Sequence, residues 1–376
     1  MIALRLNGRL VAVPLGILLV GLIAGGAVLA TAGGDRGRTP SVVVATVHSR
    51  TAMEDGPADC AEIVAAQRAA PASAGVYFGV WQPGVPEDMS QLTAFEQSVG
   101  KRAAIVMIWR DWADDKGWLD TDWLCAIAAH GSIPLISWSP ADWRTGADQS
   151  PYSLDNIIAG NQDGYIESWA QQLAAYGGPV LLRFAHEMNG SWYPWAQQGA
   201  NTPAKYVAAW RHVHDLFVQA GATNVQWVWS PNAMDDGNAA TAFEPYYPGD
   251  QYVDWVGLDG YNFASSGWLW FKQIFDQSYT RITALTSKPL MIAEMGSADE
   301  LPNQAANGDT KARWLADAFG TEIPDDYPLI RAVVWFNEDE SGDTPHTRNF
   351  AVQSSDSALQ AFRQAIASPL YLSSWP

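Results

Sequence analysis

The chain has 376 residues, of which 48% are hydrophobic, and this is enough for one large folded domain. Its 40 acidic residues outnumber its 22 basic ones, and residues 73–376 contain 35 of the acidic and 16 of the basic residues. A strongly anionic surface repels DNA, RNA and anionic lipid headgroups. The composition therefore argues against nucleic acid as a partner and is compatible with a neutral polymer.

The amino terminus carries an export signal. Arg5 and Arg9 precede an uncharged, mostly apolar run from Leu10 to about Ala32, and this run is long enough to cross a bilayer. It ends in small residues that are typical of a signal-peptidase cleavage site. Residues 1–32 are therefore predicted to be a signal peptide or an amino-terminal membrane anchor, with the amino terminus inside. Either one places the rest of the chain outside the cytoplasmic membrane, secreted or anchored to its outer face.

Residues 33–72 are rich in Ala, Thr, Gly and Pro, with one predicted helix around 61–70, and we interpret them as a linker and lead-in to the folded domain. The last residues, 369–376, are predicted to be a short tail. Cys60 and Cys125 are the only cysteines. Two arrangements stay open, a disulfide that ties the lead-in to the domain or two unreactive thiols.

A regular alternation of strands and helices begins near residue 73. Eight short apolar runs with the character of buried strands start at Val76, Ala103, Ile133, Val180, Val225, Val253, Leu290 and Ala332. Helical stretches such as 202–220 and 309–320 lie between them. Such an alternation of parallel strands and crossover helices predicts an α/β protein with a single (β/α)8 TIM barrel over residues 73–368.

The carboxyl ends of the predicted strands are rich in aromatic and carboxylate side chains. Active sites of such barrels lie at this face, so side chains from separate strands converge there. A Trp-rich core would explain the number of tryptophans but not their position at strand ends. The ends include Trp81, Trp109, Trp138, His186, Glu187, Asn232, Asp259, Tyr261, Glu294, Trp335 and Glu338. Indoles in this position predict a binding site for neutral sugar rings.

Two glutamates end strands on roughly opposite sides of the predicted ring, Glu187 after the fourth strand and Glu294 after the seventh. Glycoside hydrolysis requires two carboxyl groups, one to protonate the leaving oxygen and one to attack or to activate water. Desolvation by the indoles around Glu187 would raise its pKa toward that of a general acid. The alternative is a structural role, with Glu187 paired to Arg183 beside a Trp-rich core.

Three sequence motifs now identify a family. The chain reads HEMNGSWYPW at 186–195, VGLDGYN at 256–262 and IAEMG at 292–296. These motifs, in this order and at these strands, closely resemble glycoside hydrolase family 26, which contains β-mannanases, some mixed-linkage β-glucanases and β-1,3-xylanases. The resemblance extends from about residue 75 to about residue 350 and implies a retaining mechanism.

The resemblance also implies roles for individual residues. Glu187 would be the acid/base and Glu294 the nucleophile, with their carboxyl groups about 5–5.5 Å apart. No metal and no cofactor is expected. The predicted substrate-binding residues are His186 beside the cleaved sugar, Trp192 on the leaving-group side, Tyr261 against Glu294, Trp335 as the floor under the attacked sugar, and the strand-end residues Trp138 and Trp81.

One departure from the family pattern concerns the substrate. Mannan-cleaving relatives generally carry a histidine near the end of the third strand, where this chain has SWSP at 137–140. We therefore predict a monomeric endo-β-glycanase acting on mixed-linkage β-1,3-1,4-glucan rather than β-1,4-mannan, with β-1,3-xylan still open. Two alternatives also stay open: a non-catalytic carbohydrate-binding or envelope polysaccharide assembly protein, and a transglycosylase with the same residues.

Overall fold

The structure is a computed structural model that describes residues 2–6, 9–13, 60–67, 75–113, 117–145, 149–233, 241–265, 267–341 and 348–375. Near the amino terminus, Ile2–Leu6 and Arg9–Val13 form an antiparallel pair. Residues 14–32, most of the predicted signal or anchor segment, lie outside the described residues, so that call stays a prediction. Within the described part of the chain, no helix has both the length and the apolar character needed to cross a bilayer.

Eight parallel strands form a closed barrel, which confirms the predicted fold. Neighbours in sequence are neighbours in the sheet, and the eighth strand pairs with the first, so the sheet closes on itself. The strands are β1 (Val76–Trp81), β2 (Ile105–Asp111), β3 (Ile133–Ser139), β4 (Val180–Phe184), β5 (Val225–Trp229), β6 (Trp255–Asn262), β7 (Leu290–Ser297) and β8 (Ile330–Phe336).

Helices surround the barrel and account for the spacing between the strands. They are α1 (Cys60–Gln67), α2 (Met89–Val99), α3 (Thr121–His130), α4 (Leu154–Ile158), α5 (Asp163–Tyr176), α6 (Pro203–Gln219), α7 (Phe271–Leu285), α8 (Pro302–Ala306), α9 (Lys311–Asp317), α10 (Ile323–Asp326) and α11 (Asp356–Ile366). A π turn spans Ala318–Glu322, and 3-10 turns span Trp143–Thr145, Ser150–Tyr152, Glu244–Tyr246, Asp250–Tyr252 and Val352–Ser354. Side-chain caps such as Asp88 on α2 and Asp120 on α3 begin several of the helices.

The strands are buried on both faces because successive side chains alternate between two cores. One core fills the barrel interior, with Tyr77, Met107, Leu135, Leu181, Val228, Met291 and Val334 among its members. The other core lies between the sheet and the helices, and it takes up the alternate residues of the same strands. The direction in which a strand-end side chain points therefore decides whether it reaches the mouth of the barrel.

Residues outside the predicted barrel boundaries pack against the barrel. Helix α1 lies within the predicted lead-in and is joined to α3 by a disulfide between Cys60 and Cys125. At the other end of the chain, a short strand β9 (Tyr371–Leu372) pairs with β1. The Trp375 ring lies 4.4 Å from the ring of Tyr77, between centroids. The predicted tail thus closes the amino-terminal end of the barrel, opposite the mouth.

Replacing both cysteines with serine is expected to lower the free energy of unfolding and leave the mouth unchanged. The two residues are 65 positions apart, and a covalent link of that length removes about 4 kcal/mol of chain entropy from the unfolded state. We expect a measured loss of about 2–4 kcal/mol in guanidinium unfolding, because disulfides commonly stabilise by no more than the chain-entropy value. Identical midpoints for the double variant and the oxidised chain would contradict this.

Candidate active site

The chain turns sharply after β4, and this turn carries Glu187. Ala185 and Glu187 have φ angles of 44° and 52°, a left-handed conformation that costs energy in residues other than glycine. The Glu187 amide donates to the Ser230 carbonyl oxygen over 2.8 Å, and this bond ties the turn to the end of β5. The strained turn points the Glu187 side chain into the mouth of the barrel.

Both carboxylate oxygens of Glu187 accept a hydrogen bond. Trp192 Nε1 donates to Oε2 over 2.5 Å, and Asn232 Nδ2 donates to Oε1 over 2.7 Å. Gly190 makes the first bond possible, because a Cβ at this position would lie 2.5 Å from the Trp192 ring. Asn232 and Glu187 are buried, and the partly exposed Trp192 covers the open side.

The surroundings of Glu187 raise its pKa to about 7. Burial is the largest cause, since a charged carboxylate loses its hydration in a protein interior, and the negative charge of Glu294 is the second. The hydrogen bonds from Asn232 and Trp192 and the charge of Arg183 lower the pKa, but by less. Glu187 therefore holds a proton near neutral pH, as a general acid must.

Glu294 lies in a different environment, at a bulge in β7. Leu258 pairs with Ile292 but Asp259 pairs with Glu294, so β7 has one extra residue at this point. The extra residue turns the Glu294 side chain into the barrel. Tyr261 donates its hydroxyl to Glu294 Oε2 over 2.5 Å, and Arg183 donates to Oε1.

Arg183 connects four strands beneath the mouth. Its guanidinium is fully buried, forms ion pairs with Glu294 and, over 2.9 Å, with Asp259, and donates to Ser137 Oγ over 2.6 Å. The structural alternative for Glu187 paired it with Arg183, whereas the carboxylates that form ion pairs with Arg183 among the described residues are Asp259 and Glu294. Arg183 and Tyr261 therefore orient the Glu294 carboxylate from two sides.

His186 is fully buried and is surrounded by aromatic rings. The ring centroids of Tyr193 and Trp109 lie 4.7 and 5.0 Å away, both in edge contacts. Neither ring nitrogen has a hydrogen-bond partner among the described residues. Burial, and next the charge of Arg183, lower the pKa of His186 well below its usual value, so the ring is neutral.

Two of the predicted aromatic positions were wrong. Trp138 and Trp335 are fully buried and point away from the mouth, toward the helices. Trp138 lies against Trp169 of α5 and Phe217 of α6, and Trp335 contacts Trp314 and Phe362 of the helical layer; these contacts leave no surface for a sugar. Alternation along β3 and β8 places their immediate neighbours inside the barrel instead.

The neighbour of Trp335 takes the position at the mouth. Phe336 is partly exposed and stacks on Trp81, with ring centroids 4.8 Å apart. It also lies 5.7 Å from the Tyr261 ring, between centroids. Trp81 and Phe336 therefore form an aromatic wall on the Glu294 side. Alternation along β8 puts Phe336 on the same face as Ala332 and Val334, inside the barrel, but both alternating sets of this strand are largely apolar, so the sequence does not tell which set faces inward.

Activity that depends on protonated Glu187 is expected to fall as the pH rises through about 7. The pKa of Glu187 is raised by burial to about 7, so the protonated form dominates below that value and is lost above it. The measurement is kcat/KM of the full chain between pH 4 and 9 on a soluble β-glycan. A profile that stays flat to pH 9 would show that Glu187 does not act as the acid.

The fold and the site together define a class: a TIM barrel of glycoside hydrolase architecture, with one glutamate just after β4 and another at the bulge in β7. The model of Glycosyl hydrolase family 26 matches residues 97–317. The chain belongs to this family, as the three motifs indicated.

Individual relatives agree with this membership. The chain is 36% identical over 302 residues to Endoglucanase H of Acetivibrio thermocellus, an alignment covering 78% of this chain and 31% of that protein. It is 32% identical over 256 residues to a mannan endo-1,4-beta-mannosidase of Bacillus subtilis, covering 59% and 64%. The alignments thus span less than two thirds of either relative.

Solved structures agree with the fold. The catalytic domain of a Bacillus sp. JAMB-750 endo-beta-1,4-mannanase superposes with a TM-score of 0.58 at 20% identity, covering 84% of this chain and 91% of that one. A Bacteroides ovatus beta-mannanase, BoMan26A, superposes with a TM-score of 0.56 at 22% identity, covering 83% and 93%.

Proposed function

We propose that the protein is a retaining endo-β-glycanase, with Glu187 as acid/base and Glu294 as nucleophile. The observation that carries the proposal is the contrast between the two glutamates. Burial raises the pKa of Glu187 to about 7, whereas Glu294 accepts hydrogen bonds from a buried arginine and a tyrosine hydroxyl. Two carboxyl groups in unequal environments suit one acid and one anionic nucleophile. A non-catalytic barrel would not need this division.

The reaction proceeds in two displacements at carbon 1 of the attacked sugar. Glu187 gives its proton to the glycosidic oxygen as the bond from carbon 1 to that oxygen breaks, and a Glu294 oxygen forms a covalent ester with carbon 1. Glu187, now ionised, takes a proton from water, whose oxygen displaces Glu294 as a carboxylate. The charge of Glu294 contributes to the raised pKa of Glu187, so the two carboxyl groups interact electrostatically, as this mechanism requires.

Mixed-linkage β-glucan is the proposed substrate. Glucose and mannose differ in the orientation of the hydroxyl at carbon 2, so residues near the attacked sugar must match one of them. The inward position near the end of β3 is occupied here by Ser137, which accepts hydrogen bonds from Arg183, and not by the histidine expected in mannan-cleaving relatives. The 302-residue similarity to a relative named endoglucanase also favours a glucan.

The substrate prediction is tested with purified full chain and a panel of mixed-linkage glucan, glucomannan, mannan, β-1,3-xylan and cellulose, with the products sized. We expect oligosaccharides from mixed-linkage glucan at a rate above that from mannan. A Glu187→Gln, Glu294→Gln double variant is the control for contaminating activity. Action on mannan with none on mixed-linkage glucan would overturn the substrate while leaving the mechanism.

We further propose that the protein acts as a monomer outside the cytoplasmic membrane, secreted or tethered by its amino-terminal segment. The apolar run after Arg5 and Arg9 supports export. The disulfide between Cys60 and Cys125 also supports it, since disulfides persist in oxidising compartments. Cell fractionation, with the protein detected in each fraction by an antibody against the barrel, tests this location. Retention of the protein in the cytoplasm would contradict it.

A further inference from the structure

Asn189, two residues after Glu187, hydrogen-bonds through its side chain to both the amide and the carbonyl group of Asn232. The Asn189 Oδ1 atom accepts from the Asn232 amide over 2.8 Å, and Asn189 Nδ2 donates to the Asn232 carbonyl over 2.8 Å. The Asn189 side chain is fully buried. It therefore pairs with Asn232 as a neighbouring strand would, but through a side chain.

This contact belongs to a larger brace between the loops after β4 and β5. Asn189 Nδ2 also donates to the Thr241 carbonyl over 3.0 Å, and the Thr241 amide donates to the Asn189 carbonyl over 2.8 Å. Each of these bonds is buried or partly buried, where a lost partner is costly. The position of the Asn232 backbone is thus fixed relative to the chain segment that carries Glu187.

The Asn232 side chain extends from this fixed backbone to Glu187 Oε1, 2.7 Å away. An amide N–H donor stabilises the ionised carboxyl group more than the neutral one, so its presence lowers the proton affinity of Glu187. The contact also fixes one oxygen on the buried side, which leaves Oε2 beside the partly exposed Trp192.

We infer that Asn189 and Asn232 act as a pair of positioning residues that set both the orientation of Glu187 and the pH at which it releases its proton. This role rests on the proposed function, in which Glu187 is the acid/base. Asn232 acts directly on the carboxyl group, and Asn189 acts only through Asn232. The pair limits the proton affinity of Glu187. This matters because Glu187 must release its proton in the first step and act as a base in the second.

Other charged and titratable groups also surround Glu187, and they set the background on which Asn232 acts. Glu294 from β7 raises the pKa of Glu187, and Arg183 from β4 lowers it. Asp259 from β6 and the buried Tyr193 also interact electrostatically with Glu187. Neutral His186 adds no charge. Asn232→Ala keeps every one of these residues, so its comparison with the unaltered chain tests the removal of the Asn232 amide.

The test compares Asn232→Ala with Asn201→Ala. Asn201 donates to the Pro194 and Ala196 carbonyls over 2.7 and 3.0 Å, so it braces the same loop with two bonds but does not contact Glu187. The protonation of Glu187 is followed by difference infrared spectroscopy, with Glu187→Gln as the variant that lacks its carboxyl band. The basic limb of the pH profile of kcat/KM is measured alongside. We expect Asn232→Ala to raise the midpoint of the Glu187 titration and that of the basic limb of kcat/KM, each by roughly one pH unit. Asn201→Ala should change neither midpoint.

Two further variants test whether Asn189 acts through Asn232. Asn189→Ala is expected to move the titration in the same direction by less, and the double variant is expected to match Asn232→Ala alone. If Asn189→Ala does not fold, Asn232→Ala decides the inference by itself. A Glu187 titration in Asn232→Ala equal to that in Asn201→Ala would overturn it. If the unaltered chain cleaves no β-glycan, the proposed function fails, and the infrared titration still decides the inference.

Discussion

Glu294→Ala is expected to lower turnover of every β-glycan substrate by at least about 10⁴-fold, and azide is expected to restore part of it. If Glu294 is the nucleophile, as proposed, its removal leaves no group to form the covalent intermediate. The alanine also leaves space below carbon 1, where azide attacks from the face that Glu294 occupied. The product would be an α-glycosyl azide, which is detected by mass spectrometry and NMR.

Glu187→Ala is the matched variant, because it removes the other carboxyl group from the same mouth. Its loss in kcat/KM should be large on polysaccharide but small on aryl glycosides with acidic leaving groups, which depart with little protonation, whereas kcat should fall on both because the second step loses its base. Azide would give a β-glycosyl azide here, formed at the second step. Equal losses on all leaving groups for both variants would show that the acid and the nucleophile are wrongly assigned.

Arg183→Met is expected to lower the free energy of unfolding by about 3–5 kcal/mol, since it leaves two buried carboxylates without their cation. Asp259 and Glu294 are almost entirely excluded from solvent. Burial raises the pKa of Asp259 well above its usual value, and the charge of Arg183 opposes this. Without the arginine that pKa rises further, so the destabilisation should be smaller at pH 5 than at pH 8.

A matched control is Arg281→Met, which also removes an arginine from an ion pair, in this case with a single carboxylate held by two hydrogen bonds. Arg281 donates to Glu244 over 2.6 and 2.7 Å, but its side chain is 35% exposed. We expect a loss of no more than about 1 kcal/mol, with little dependence on pH. Guanidinium unfolding at both pH values measures each variant. Equal losses for the two would contradict the assigned role of the buried network.

The alternation of strands and helices made the barrel predictable. Each strand is an apolar run buried on both faces, and a parallel sheet of eight such runs closes into few possible architectures. The two glutamates were predictable for a related reason. Each follows a short apolar run of a predicted strand, where a carboxyl group reaches the mouth of a barrel. In the structure Glu187 lies just after β4 and Glu294 at the bulge in β7. The motifs around them then identified the family.

The direction in which the aromatic side chains point was harder to predict from the sequence. Trp138 and Trp335 are strand-end residues like Trp81, yet they face the helices, while Phe336 faces the mouth. Large apolar residues suit either core, so hydrophobicity alone does not fix the side on which a ring lies. Only the register of each strand decides this, and a shift of one residue reverses it.

The sequence by itself determined the fold class, the family and the two carboxylates, because local patterns of burial and polar strand ends carry that information. Only the tertiary structure decided the partners of those carboxylates. The bulge in β7 turns Glu294 toward Arg183, and the left-handed turn after β4 brings Glu187 to Asn232. These contacts join residues that are between 45 and 111 positions apart, and their unequal electrostatics arise from burial that no short segment encodes.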